Sequence, residues 1–138
     1  MKRSGLILFC VTCFFACKKS KKEQFVYNLT GGFYKYWDVV EGHGYNKKKA
    51  NRFPMMCYYF DVKGTYQLYL YYKKGRSQRL PSSYDDVIEY HNWKYKSSSS
   101  IEIENNKFYV EKLTEDTLII RDMEHWGGRS VFVKSEKQ

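Results

Sequence analysis

The residues of this chain able to do covalent or metal chemistry are few, and their spacing speaks against most catalysts. His43, His91 and His125 stand far apart, and none lies two or four residues from another His or Cys. No zinc-ligand pattern results. Ser97 to Ser100 form a serine run, but the Gly-x-Ser-x-Gly turn that exposes a nucleophilic hydroxyl is absent. Asp85 and Asp86 are adjacent, so their carboxylates point apart on a strand or a helix. They suit the acidic first turn of a short helix capped by Ser83. Gly31-Gly32 and Gly127-Gly128 have no phosphate-loop context. That leaves the thiols. Cys57 sits within Pro54-Met55-Met56-Cys57-Tyr58-Tyr59-Phe60, an apolar setting that suits a packed structural thiol. Cys10, Cys13 and Cys17 all fall in the first seventeen residues. The pattern predicts a protein that is not an enzyme, with no cofactor and no metal.

The segment holding those three thiols reads as an export signal. Lys2 and Arg3 form a positive start, and Leu6 to Ala16 follow without a charge. Eleven residues are too few for a spanning helix, which takes ~20. A short charged start, a short apolar stretch and a small residue before a cut make a secretory signal peptide. Phe14-Phe15-Ala16-Cys17 resembles the lipobox of bacterial lipoproteins, in which a small residue precedes the modified cysteine. That resemblance implies a signal peptide over 1–16 and a diacylglycerated thiol at Cys17. It also implies acylation of the new amino group with chains such as palmitate. Three acyl chains hold a protein on a membrane stably, whereas one is marginal. Using Cys13 instead would strand Phe14 and Phe15 on the mature chain. Lys18 stands where many inner-membrane lipoproteins carry Asp, which places the expected protein at the cell outer membrane, facing the periplasm.

Without residues 1–16 the chain keeps 122 residues, with 22 basic and 15 acidic side chains and a net charge of +7. That length suits one domain with its own core. Cys57 is then the only cysteine besides Cys17, so packing rather than disulfides must hold the fold. Lys18 to Gln24 is rich in lysine and predicts a solvated basic tether over 17–28, attracted to anionic head groups. A domain over 29–138 follows.

The 122 residues after the signal carry 23 aromatic residues and a single alanine, Ala50, which favours pleated sheet over a helical bundle. Strand-like runs alternate with turn signals at the spacing of an all-β barrel. They cover 33–40, 55–62, 65–73, 91–96, 101–104, 107–111, 117–122 and 129–134, with a hairpin turn at Asn105-Asn106. Eight strands on short links predict an eight-stranded antiparallel up-and-down barrel, which leaves no sheet edge exposed. Alternation places Tyr58, Phe60, Tyr66, Leu68, Trp93 and Phe108 inward. Such an interior is either filled by side chains or roomy enough for one small ligand.

Leu29-Thr30-Gly31-Gly32-Phe33 is similar to the opening Leu-x-Gly-x-Trp element of small bacterial lipocalin-like lipoproteins, with Phe33 where Trp is usual. Phe60-Asp61-Val62-Lys63-Gly64-Thr65-Tyr66 resembles their second hairpin. Leu113-Thr114-Glu115-Asp116-Thr117-Leu118 resembles a late run, and Phe132-Val133-Lys134 the closing strand. The resemblance implies a lipocalin-like barrel with a pocket for a small apolar ligand. It also implies a closed-end aromatic stacked on a late arginine, either Arg121 or Arg129. A second reading keeps the barrel fully packed and lets its loops bind another envelope protein, as an inhibitor or structural factor.

The connection 74–90 joins Lys74, Arg76 and Arg79 to an apolar half containing Leu80, Tyr84, Val87 and Ile88. It is long enough to be functional and is expected to cover one barrel mouth, with Arg76 and Arg79 facing an anionic, lipid-like head group. The basic excess also fits a solvated surface. Export speaks against nucleic acid as a partner.

Overall fold

A computed structural model describes residues 19–42, 55–71, 80–81, 91–124 and 128–136. The chain opens with a helix, α1 (Lys21–Thr30), followed by β1 (Tyr34–Glu41), β2 (Met55–Asp61) and β3 (Thr65–Tyr71). A two-residue strand β4 (Leu80–Pro81) lies on β3. Then come β5 (His91–Ser97), β6 (Ser100–Ile103), β7 (Asn106–Leu113), β8 (Thr117–Asp122) and β9 (Arg129–Lys134). Leaving β4 aside, each strand pairs antiparallel with its neighbour in sequence, and β1 pairs with both β2 and β9. The ring closes through β3 and β5, where Thr65 faces Asn92 and Tyr66 faces His91. This is a closed eight-stranded antiparallel up-and-down barrel, as the alternation predicts. Among the described strands only β4 lies outside the ring.

Period-two alternation sorts side chains between inside and outside. The interior holds Trp37, Val39, Phe60, Tyr66, Trp93, Ile101, Ile103, Val110, Leu118, Ile120 and Phe132, all buried. Closing the ring forces a close approach where β1 ends. Gly42 has φ 109°, and a Cβ there would meet the Arg129 carbonyl oxygen at 2.4 Å and the Ser130 Cα at 2.7 Å. Only glycine fits at that junction.

The barrel has two unlike ends. One carries the β2–β3, β5–β6 and β7–β8 turns and the start of β1, and α1 lies across it. The helix begins with a capping box: the Ser20 hydroxyl accepts from the Glu23 N–H at 3.1 Å, and Glu23 accepts from the Ser20 N–H at 2.7 Å. The Ser20 N–H, then the Ser20 hydroxyl, acting on the Glu23 carboxyl, hold it below its usual pKa. The helix ends at Gly31, whose left-handed φ of 65° lets its N–H reach the Tyr27 carbonyl at 2.7 Å. Phe25 and Leu29, four residues apart on one helix face, enter the core. Phe25 meets the edge of Tyr95 with ring centres 5.0 Å apart. The expected tether over 17–28 is therefore corrected. From Lys21 onward the chain is helix, and the domain begins before residue 29. Two apolar anchors suffice because the capping box and the Gly31 turn satisfy the helix ends.

Two further expectations change. Phe33 does not take the closed-end aromatic position; it is 79 % exposed, while Trp37 is fully buried beneath α1. Trp37 Nε1 donates to the Leu29 carbonyl at 2.8 Å. Its cationic neighbour is Lys35, whose Nζ lies 4.8 Å from the ring centre, not a late arginine. Arg121 and Arg129 instead face outward and grip Glu111 at 2.8 and 2.9 Å. Those contacts, Arg129 first, hold the Glu111 carboxyl below its usual pKa. Lys35 donates to the carbonyls of Asn28 at 2.5 Å and Glu115 at 2.9 Å, tying helix to barrel. Burial, then the neighbouring Lys134 charge, lowers the Lys35 pKa.

The hairpin between β6 and β7 turns at Glu104-Asn105 rather than Asn105-Asn106. Both residues have positive φ, 51° and 68°, and Ile103 faces Asn106 across the turn. This is the two-residue turn whose twist matches the flanking strands, with glutamate at a position where Asn or Gly is usual.

Candidate functional site

The second end of the barrel carries the β6–β7 turn, the end of β8 and the start of β9. A cavity of about 630 Å³ lies there. Its wall is Tyr58 from β2, Tyr66 from β3, Ile103 from β6, Phe108 from β7, Ile120 from β8 and Phe132 from β9. Alternation alone puts these side chains inward, and ring packing holds them. Tyr58 meets Phe132 with centres 4.9 Å apart and Tyr66 edge-on at 5.5 Å. Tyr66 in turn lies 5.4 Å from Phe60. Ligand sites typically run to ~300–1,000 Å³ with mainly apolar walls and a few convergent polar groups. This cavity has both.

The polar groups are Glu104, Asn106, Asp122 and Ser130, with Gly128 beside them. The Glu104 carboxylate bonds His91 Nδ1 at 2.8 Å, and Asp122 accepts from the Glu124 N–H at 2.8 Å. Deeper in, the Tyr58 and Tyr66 hydroxyls bond each other. Burial raises both phenol pKa values. For Tyr66 the charges of Tyr58 and Glu104 raise it further; for Tyr58 the Glu104 charge adds to burial against the bond from Tyr66. Both phenols are thus neutral at physiological pH, and the Glu104 charge is felt within the cavity.

Of the residues expected inward, Tyr58, Tyr66 and Phe108 line the cavity. Phe60 and Trp93 are also inside, nearer the helix-covered end, with ring centres 6.2 Å apart and Trp93 Nε1 donating to the Asp61 carbonyl at 2.9 Å. Leu68 faces Tyr58 in the β2–β3 register and is half-buried, outside the cavity lining. Cys17, Arg76 and Arg79 lie outside the described residues, as do His43, His125 and the Ser83–Asp86 turn. Ile103, Ile120 and Phe132 extend the same alternation and were findable from it. Glu104 and Asp122 carry no such signal, since a carboxylate in a turn or at a strand end looks like any solvated acid.

A second feature lies on the outer face of β1, β2 and β3. Tyr34, Tyr36, Tyr59 and Tyr69 form a cluster with ring centres 5.1–6.4 Å apart. Burial, then the Asp61 charge, pushes Tyr59 up to about 12. Gln67 is only 3 % exposed on this face, and Cys57 is buried and in no disulfide. Among the described residues no group of three His, Cys, Asp or Glu is placed to hold a metal, and no helix is long and apolar enough to cross a membrane. Set against known protein families, curated proteins and solved structures, the chain matches none of them.

Proposed function

We propose that this protein is a non-enzymatic binding module, a barrel that holds one small, largely apolar ligand, displayed in the cell envelope on a lipid-modified Cys17. The cavity carries the first part of this reading. A barrel of eight strands can be filled completely by its own side chains, yet here six apolar and aromatic residues surround about 630 Å³ of space at one end. That space weighs against the packed-barrel alternative, in which only the loops would act. The anchor rests on Phe14-Phe15-Ala16-Cys17 and the charged, apolar segment before it. The tail of the protein that enters a membrane would then be lipid and not a helix.

Native mass spectrometry of the chain purified from its envelope tests the cavity. A bound molecule of a few hundred daltons that leaves on mild activation is expected. A protein that is always bare, and that takes up no apolar probe, overturns the reading. The anchor is tested by Cys17→Ala, which should abolish labelling with an acyl precursor and leave an uncleaved chain. A variant that still matures and still fractionates with membranes overturns it.

A further inference from the structure

The barrel end that α1 crosses is edged by exposed apolar residues. Phe33 is 79 % exposed, Tyr34 48 %, Val62 44 % and Tyr27 38 %. Backbone and ring contacts join them into one surface. The Tyr27 ring lies beside Gly32, 3.6 Å from where a Cβ there would stand. Phe33 follows, and its carbonyl accepts from the Val62 N–H at 2.9 Å. Tyr34 faces Asp61 in the β1–β2 register and stacks on Tyr59 with ring centres 5.8 Å apart. The turn after α1 and the β2–β3 turn thus carry exposed apolar residues to the same edge. Lysines border it. Lys19, Lys21 and Lys22 are exposed on and just before α1, and Lys63 is exposed beside Val62. The Lys19 ammonium sits over the Tyr27 ring, 3.8 Å from its centre. The acids at this end are engaged within the fold. Glu23 closes the capping box, Asp61 accepts from the Lys63 and Thr65 N–H groups at 2.9 and 2.8 Å, and Glu115 and Asp116 act on the buried Lys35 ammonium.

We propose that this edge is a membrane seat: Tyr27, Phe33, Tyr34 and Val62 settle into the head-group layer of an anionic leaflet, and Lys19, Lys21, Lys22 and Lys63 meet its phosphates. Exposed apolar patches rimmed by polar residues mark interaction surfaces. Aromatic rings beside lysines suit a bilayer interface, where the ring enters the apolar boundary and the ammonium stays in the charged layer. Anionic head groups attract each lysine near the surface. The position in the chain agrees. Lys19 is two residues from Cys17, a span of at most ~7 Å, so acyl chains on Cys17 hold this edge within reach of the leaflet. The inference rests on the reading of Cys17 as a lipid anchor and adds that the folded domain itself touches the bilayer. Acyl chains give attachment; the seat stops the domain from tumbling on its link.

The test is amide NMR on the chain purified from its envelope and placed with nanodiscs of phosphatidylcholine and phosphatidylglycerol, a fraction of the lipid carrying a nitroxide on its head group. Relaxation enhancement at the Phe33 and Val62 amides should exceed that at Glu104 and Asn105, at the other end of the barrel, at least fivefold. Discs of phosphatidylcholine alone should at least halve the enhancement at Phe33. Phe33→Ser with Val62→Ser should bring the ratio at Gly32 and Lys63 below twofold while the chain stays on the disc; unchanged Trp37 and Leu29 amide shifts report an intact fold. Equal enhancement at both ends of the parent chain overturns the seat and leaves the anchor standing. So does broadening of the Phe33 region that needs no nitroxide and grows with protein concentration, which means that a second copy covers this edge. A chain whose mass shows no acyl group on Cys17 ends the anchor reading alone if Phe33 and Val62 still respond to anionic discs. If they do not respond, both fall.

Discussion

Trp37 and Leu29 are both completely buried, and the indole N–H of the first strand donates to the Leu29 carbonyl of the helix at 2.8 Å. One hydrogen bond and one apolar contact thus fasten the helix to the barrel at the same point. Leu29→Ala should cost ~2–5 kcal/mol of stability, the range for a buried leucine that leaves a cavity. Trp37→Phe should cost ~1–3 kcal/mol, because the buried Leu29 carbonyl loses its donor. Urea unfolding checks both. A loss below 1 kcal/mol at Leu29 would mean that the helix contributes little to the core.

Trp93 and Lys94 are neighbours on β5 with opposite environments. Trp93 is buried and donates to the Asp61 carbonyl, while Lys94 is exposed, 3.5 Å from Glu102. Trp93→Ala should cost ~3–5 kcal/mol. Lys94→Ala should cost less than about 0.5 kcal/mol, as exposed ion pairs contribute little. Equal, small losses would mean that the inward face of this strand is misassigned.

At Glu104 the turn should be improved by a residue that takes positive φ more easily. Glu104→Asn places a residue suited to positive φ in the turn and should raise stability by up to about 1 kcal/mol. The exposed His91 pair that it breaks has little effect on folding. A shift of the urea midpoint at constant slope is the readout, and a destabilised variant would contradict the strain assigned to this position.

Alkali should expose the buried phenols. Tyr58 and Tyr66 have raised pKa values, chiefly through burial, and Tyr59 is pushed up to about 12. Their unfolded counterparts ionise near ~10. The sign follows by linkage: the stability these phenols contribute is complete below about pH 10 and is lost as the pH rises through the higher folded values. Unfolding free energy should therefore fall steeply above about pH 10, and less steeply in Tyr66→Phe. Parent and variant curves of equal slope would show that Tyr66 is not held neutral by the fold.

The barrel was legible because its strands write their geometry directly into the chain. His91-Trp93-Tyr95, Ile101-Ile103 and Leu118-Ile120 alternate with polar partners, and period two has one structural meaning. The helix was harder to see. Its apolar signal is Phe25 and Leu29 within a lysine-rich stretch, too small to stand out from a tether. Yet Ser20-Lys21-Lys22-Glu23 spells its capping box and was the signal available. Three cavity-lining aromatics followed from alternation, whereas the two carboxylates of the lining did not. Glu104 and Asp122 become neighbours of one space only when β6, β7 and β8 are brought side by side, a relation no local pattern encodes. Phe33 shows the converse error: a motif position was matched, but the chain buries Trp37, four residues on, because the helix continues to Thr30.

The helix across one end also fixes a direction. Its cap, Ser20, stands three residues after Cys17, a span of at most ~11 Å. With Cys17 acylated as proposed, the bilayer surface is drawn close to the covered end, and the cavity opens at the other, a barrel's height of ~20 Å farther out. The protein would then stand like a cup on its base. It would take its ligand from the aqueous space or from a partner facing it, not from the leaflet in which it is rooted.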